Sequence, residues 1–186
     1  MKIYSERIYV PEGVISGTIT VSDGKITAIE KGIKDADAID YGNHRVIPGI
    51  FDTHNHGTCG FDPANCQHLP KEQAKQQIRG YLKGLASQGV TSIFPTVVES
   101  DALSNIAEVA EEHEASGAEI RGLHSEGPWL NRVGEKGIRT GWPEISVEKA
   151  KKMVSDSKGW LKLVAIAPEI PGAYEVIEYF LSQGIT

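Results

Sequence analysis

The chain has 186 residues, 40% of them hydrophobic and 24% charged, a balance that excludes a disordered chain, which has too little apolar surface to offset its ordering entropy. A formal net charge of −6 disfavours nucleic acid or an anionic membrane surface as the main partner and leaves a small molecule as the expected one.

The opening Met-Lys-Ile-Tyr-Ser-Glu-Arg has no apolar signal core. No stretch nears the roughly 18 apolar residues needed to cross a bilayer. A cytoplasmic protein is expected, with Cys59 and Cys66 as reduced thiols.

Alternating, β-branched runs at 2–10, 14–21 and 25–30 are separated by Pro11-Glu12-Gly13 and Asp23-Gly24. They predict a small antiparallel β-unit up to about residue 48. Asp-Gly between two such runs predicts a type I′ hairpin, whose two central residues take positive φ.

From Val46 the pattern becomes strand then helix, repeated. An apolar run at 46–52 precedes a helix over 70–88, where Ala74, Ile78, Tyr81, Leu82 and Leu85 recur at three-to-four spacing before Gly89. A strand at 91–95 leads to a helix from about Ser100, with Leu103, Ile106, Val109 and Ala110 on one face. The third strand is 119–124, and a long polar loop separates it from a helix with Ser146 as its N-cap. The last unit is a strand at 161–167 and a helix at 172–183.

Such units predict a parallel sheet, as a (β/α) barrel or a doubly wound sheet. No G-x-G-x-x-G follows a strand, which weighs against dinucleotide binding. A full barrel takes about 250 residues and roughly 140 follow the β-unit, so about half a barrel is expected. An incomplete sheet leaves an open edge, and association through it, as in a homo-oligomer, is expected.

The segment Val46-Ile47-Pro48-Gly49-Ile50-Phe51-Asp52-Thr53-His54-Asn55-His56-Gly57 places H-x-H at a strand end. Alternation puts His54 and His56 on one side, where they can share a metal. Gly122-Leu123-His124-Ser125-Glu126-Gly127-Pro128-Trp129-Leu130-Asn131 ends the third strand, and Glu126 there can supply an oxygen ligand at the same rim. His124 shares the parity of Glu126 and is either a support for that metal site or a packed histidine. Glu111, Glu112 and Glu114 predict a solvated face. Arg132, Lys136 and Arg139 make the loop after Glu126 basic, which favours an anionic substrate.

Taken with Gly89-Val90-Thr91-Ser92-Ile93-Phe94-Pro95-Thr96 and Ala167-Pro168-Glu169, these motifs resemble the amidohydrolase superfamily and, within it, the N-acetylglucosamine-6-phosphate deacetylases. The resemblance implies an α/β fold: a partial (β/α)8 barrel of about four units over 49–186, with a small N-terminal β-sandwich portion at 1–48. It also implies a divalent metal, zinc or iron, on His54, His56 and Glu126, and a phosphorylated N-acetyl amino sugar as partner. Thr96 and Asn131 take supporting roles. The family's Lys-Gly-Ala-His-like stretch that touches the sugar falls on Lys136-Gly137-Ile138-Arg139. Gly137, Ile138 and Arg139 are thus the expected substrate-binding residues, with a guanidinium, able to bind phosphate or carboxylate, in place of histidine. Trp142 either stacks on the sugar ring or packs on its own loop.

The family's other metal-binding histidines, its substrate-phosphate groups and its general-base aspartate lie on later strands, so the catalytic base is expected beyond residue 186, and the chain alone is expected to catalyse poorly. Two rivals remain at this point: a different amidohydrolase acting on a cyclic amide, and a non-catalytic half-barrel that associates through its edge.

Overall fold

β1 (Lys2–Val10), β2 (Gly13–Ser22) and β3 (Lys25–Lys31) pair antiparallel in sequence order. Asp23 and Gly24 take φ of 50° and 72° at the β2–β3 turn, both positive as the Asp-Gly hairpin requires. The computed structural model describes residues 1–62, 66, 68–97, 100–112, 117–130 and 144–186.

The chain divides into two compact units, Met1–Gly49 and Ile50–Thr186. In the first, β4 (Ile39–Asp40) and β5 (Arg45–Val46) run parallel to β1, so its five-stranded sheet is mixed and not purely antiparallel. Tyr4, Ile8 and Ile19 are buried in it. The buried Thr18 hydroxyl donates to the Ile33 carbonyl at 2.8 Å, and that of Ser5 to the His44 carbonyl at 2.6 Å; a buried hydroxyl left unpaired would cost about 1–3 kcal/mol.

The second unit is mixed α/β with a parallel sheet. Its strands are β6 (Ile50–Asn55), β7 (Val90–Val97), β8 (Glu119–Ile120), β9 (Leu123–Glu126) and β10 (Leu161–Ala165). The order is β6-β7-β9-β10, neighbours in chain order, with β8 also on β7. The apolar run 46–52 divides at Pro48-Gly49: Val46 pairs with Ile8 in β5, and β6 begins at Ile50. Proline has no N–H to give a ladder, which is why one run yields two strands.

The third predicted strand is also two. β8 pairs with β7 at Ser92 and Ile93, β9 pairs with it at Thr96 and Val97, and Gly122 lies between them. A Cβ at Gly122 would stand 2.6 Å from Lys162 Cγ and 2.8 Å from Phe94 Cε1, so any larger residue at the break would force those side chains to shift.

Helices α1 (Lys71–Ser87), α2 (Ser100–Glu111), α3 (Val147–Asp156) and α4 (Ala173–Ser182) follow the strands. The predicted faces of α1 and α2 are buried, packing with Ile93, Val97, Leu123 and Leu161 in one core. The Ser146 hydroxyl accepts the Lys149 N–H at 3.1 Å and caps α3. Among the described residues no helix is long and apolar enough to cross a membrane.

Glu111 and Glu112 are exposed, as predicted, and on that face they meet cationic side chains. Lys71, Lys75 and Arg79, one turn apart on α1, meet Glu108 of α2 and Glu112 just past its end, at 2.8 Å for Lys71–Glu108 and 2.6 Å for Arg79–Glu112. Lys158 reaches Glu111 at 3.3 Å and Glu108 at 3.6 Å. Glu114 lies outside the described residues. The hydrogen bond from Lys71, aided by Lys75 against partial burial, holds the Glu108 carboxyl down at about 2.

A carboxyl lowered on folding stabilises the fold above its unfolded value, 4.5, and that contribution disappears as pH falls toward 2. Glu108→Gln is expected to cost about 1 kcal/mol at neutral pH. Thermal melts of both proteins between neutral pH and pH 2 should converge at the acid end; a gap independent of pH would show that the charge of Glu108 is not what stabilises.

Candidate metal centre

His54 is the penultimate residue of β6 and Glu126 the last of β9, so both stand at the carboxyl ends of parallel strands. His56 lies just past β6, and the two-residue repeat of extended chain returns its ring to the side of His54. The rings meet edge-on with centroids 4.8 Å apart.

The two Nε2 atoms are 3.0 Å apart. Neutral imidazole nitrogens this close repel unless one carries a proton or both face a common cation. His56 Nε2 lies 2.9 Å from one Glu126 oxygen, and His54 Nε2 lies 3.9 Å from the other. One ligand atom from each of the three residues falls within 4.8 Å of the others. A tetrahedral ion with bonds of about 2.0–2.2 Å sets its ligand atoms roughly 3.3–3.6 Å apart, inside the observed spread. The donor set of two imidazoles and a carboxylate therefore fits a divalent transition metal, zinc and iron included. Side-chain exposures of 46%, 52% and 34% for His54, His56 and Glu126 leave the group open to water and ligand.

His124 is buried directly beside this group. Its Nδ1 donates to the Thr53 carbonyl at 3.2 Å, and its ring lies 4.9 Å from that of His54. Burial chiefly, with the neighbouring histidines, pushes its imidazolium below the usual histidine range. It is thus a packed histidine that also buttresses the back of His54. Thr96, in β7, accepts the Asn55 N–H at 3.0 Å, a contact that ties β6 to its neighbour beside the histidines.

Nothing in the spacing singles out Asp52, Asn55 or Tyr81 for this region, because the bond that ties the group together, from Tyr81 to Asn55, spans 26 residues. The Tyr81 hydroxyl, on buried α1, donates to Asn55 Oδ1 at 2.8 Å, and Asn55 Nδ2 donates to Asp52 at 2.9 Å. Burial raises the Tyr81 phenol, so it remains a donor.

Gly57 closes the H-x-H turn with φ of 126°, and a Cβ there would strike the Phe61 carbonyl oxygen and stand 2.8 Å from Asp62 Cα. Gly57→Ala is expected to cost about 2 kcal/mol or more, since strain and collision add. Urea unfolding measures it, and an unchanged midpoint would show that the turn can relax.

The segment after Glu126 is anchored rather than loose. Gly127 N–H donates to the Ala165 carbonyl at 3.2 Å, and Ala167 N–H donates to the Trp129 carbonyl at 2.8 Å, so two of the sequence motifs meet. The Trp129 ring is 1% exposed and its indole N–H donates to the Glu144 carbonyl at 2.9 Å. Asn131, Arg132, Lys136, Gly137, Ile138, Arg139 and Trp142 lie outside the described residues.

The family profile described as "Allantoinase, composite domain" matches residues 2–44. The N-acetylglucosamine-6-phosphate deacetylase of Vibrio furnissii is 34% identical over 176 residues, covering 90% of this chain and 42% of that protein. Its namesake from Bacillus subtilis (strain 168) is 28% identical over 193 residues, covering 94% and 46%. The chain therefore spans about half the length of the curated relatives it matches. Among solved structures, a point variant of the Mycobacterium smegmatis N-acetyl-D-glucosamine-6-phosphate deacetylase in complex with N-acetyl-D-glucosamine-6-phosphate superposes with a TM-score of 0.79 at 20% identity, covering 100% of this chain and 48% of that one. In sequence and in fold, then, the chain resembles the N-acetylglucosamine-6-phosphate deacetylases of the amidohydrolase superfamily.

Proposed function

We propose that this chain is part of a metal-dependent amidohydrolase that converts N-acetylglucosamine 6-phosphate and water to glucosamine 6-phosphate and acetate in amino-sugar breakdown. His54, His56 and Glu126 hold a divalent metal, zinc or iron. The observation that carries the reading is their convergence at one strand-end rim, within 4.8 Å.

When bound, such an ion lowers the pKa of a water and polarises the acetamide carbonyl. The chain's own residues prepare the site for that chemistry. His54 and His56 present their Nε2 atoms, and Glu126 adds a carboxylate oxygen that helps hold a cation. The buried His124 and Thr96 fix the strand ends behind them. Gly137, Ile138 and Arg139 contact the phosphorylated sugar, where the guanidinium of Arg139 is able to pair with an anionic oxygen. The resemblance assigns proton transfer to an aspartate on a later strand. A phosphorylated substrate is confined by its charge, which favours a cytoplasmic location.

The uninterrupted strand order β6-β7-β9-β10 supports a (β/α) barrel over a doubly wound sheet, whose order reverses at a switch point. On this reading residues 1–48 are a portion of a small β-sandwich, residues 49–186 are barrel, and the open sheet edge serves self-association.

The test is acetate release from N-acetylglucosamine 6-phosphate. It is assayed with the zinc- or iron-loaded chain and with the chain mixed with the portion of the Vibrio furnissii relative that the match leaves uncovered. Chelator-sensitive acetate release is expected from the mixture. Turnover of a cyclic amide alone would move the reading to another amidohydrolase, and no turnover of either would favour a non-catalytic half-barrel.

A further inference from the structure

We infer that Asn55, held by Tyr81 and Asp52, is the positioning residue that keeps the His54 and His56 rings side by side; this rests on the metal-centre reading above. Asn55 sits between the two histidines and its side chain turns away from them, toward α1. Both polar atoms of its side chain and its backbone N–H are engaged. Oδ1 accepts from the Tyr81 hydroxyl and from Gly57 N–H, both at 2.8 Å. Nδ2 donates to Asp52 Oδ2 at 2.9 Å, and the backbone N–H donates to Thr96 at 3.0 Å. The other Asp52 oxygen accepts the His54 N–H at 3.1 Å.

These bonds fix the backbone on each side of both histidines: at His54 through Asp52, and after His56 through Gly57. The amide orientation is forced as well. Turned over, its NH2 group would face two donors and its oxygen a carboxylate. Only an amide supplies two acceptor lone pairs and a donor from a side chain this short, which is the physical reason for asparagine here. The anchor, Tyr81, is 1% exposed in α1 and cannot swing aside without opening the core. Rigid support of this kind sets how well two imidazoles are prepared for one ion, and its loss elsewhere lowers metal affinity about 10–100-fold.

The test is a cobalt(II) titration of the untagged chain, reading affinity and the visible ligand-field spectrum, for wild type, His54→Ala, Asn55→Ala and Tyr81→Phe. Urea unfolding is followed in parallel. Tyr81→Phe removes one hydroxyl and leaves the core filled, so it decides the matter if Asn55→Ala fails to fold. The expected result is that cobalt affinity falls about 10–100-fold in Asn55→Ala and less in Tyr81→Phe, with a changed spectrum in both. Cobalt binding by His54→Ala equal to wild type would overturn the metal centre itself. Loss of binding in His54→Ala, with wild-type affinity and spectrum in Asn55→Ala and Tyr81→Phe, would leave the centre standing and overturn the positioning role.

Discussion

Glu126→Ala is expected to strip metal from the protein while leaving the fold intact. The Glu126 side chain is partly buried, at 34% exposed, and truncating it removes no core packing, so a stability change of about 1 kcal/mol or less is expected. The effect on metal should be far larger. Removing even an outer partner of a metal ligand costs about 10–100-fold in affinity, and removing a direct ligand should exceed the upper end of that range. Metal analysis of untagged wild type, Glu126→Ala and His56→Ala, with thermal melts of each, measures both quantities. Equal metal content in the three would take Glu126 and His56 out of the site.

Trp129→Ala is expected to be the most destabilising of the substitutions considered, at about 3–5 kcal/mol. Its ring is 1% exposed and packs 6.3 Å from Phe180 between centroids, while its N–H satisfies Glu144. An ordinary domain has only about 5–15 kcal/mol in total, so this one change should shift the denaturant midpoint severely. Trp129→Phe keeps most of the apolar volume and leaves the Glu144 carbonyl without its donor, for about 1–2 kcal/mol. A midpoint in Trp129→Ala within error of wild type would mean that the segment after β9 does not depend on this anchor.

Much of the fold was legible because its signals are local. Asp23-Gly24 fixes a hairpin through two φ values, and Ala74, Ile78, Tyr81, Leu82 and Leu85 mark a helix face by spacing alone. His54, His56 and Glu126 could be placed at strand ends by alternation and by the strand–helix pattern, and the structure brings them together. What could not be read depends on partners distant in sequence. The break at Gly122 answers to Phe94 and Lys162. The parallel pairing of β4 and β5 needs β1, and the pairing of Glu112 needs α1. Asn55 carries no signal of its own in the sequence, because the hydroxyl that holds it belongs to Tyr81.

The placement of β6 at the end of the strand order has a mechanical consequence. Among the described residues, the segment bearing both imidazoles is bordered by another strand on one flank, β7, so its stiffness cannot come from being sandwiched. Side-chain pins at Asp52, Asn55 and Thr96 take over that duty. Whatever comes to rest against the opposite flank would therefore bear on how firmly the two imidazoles are held.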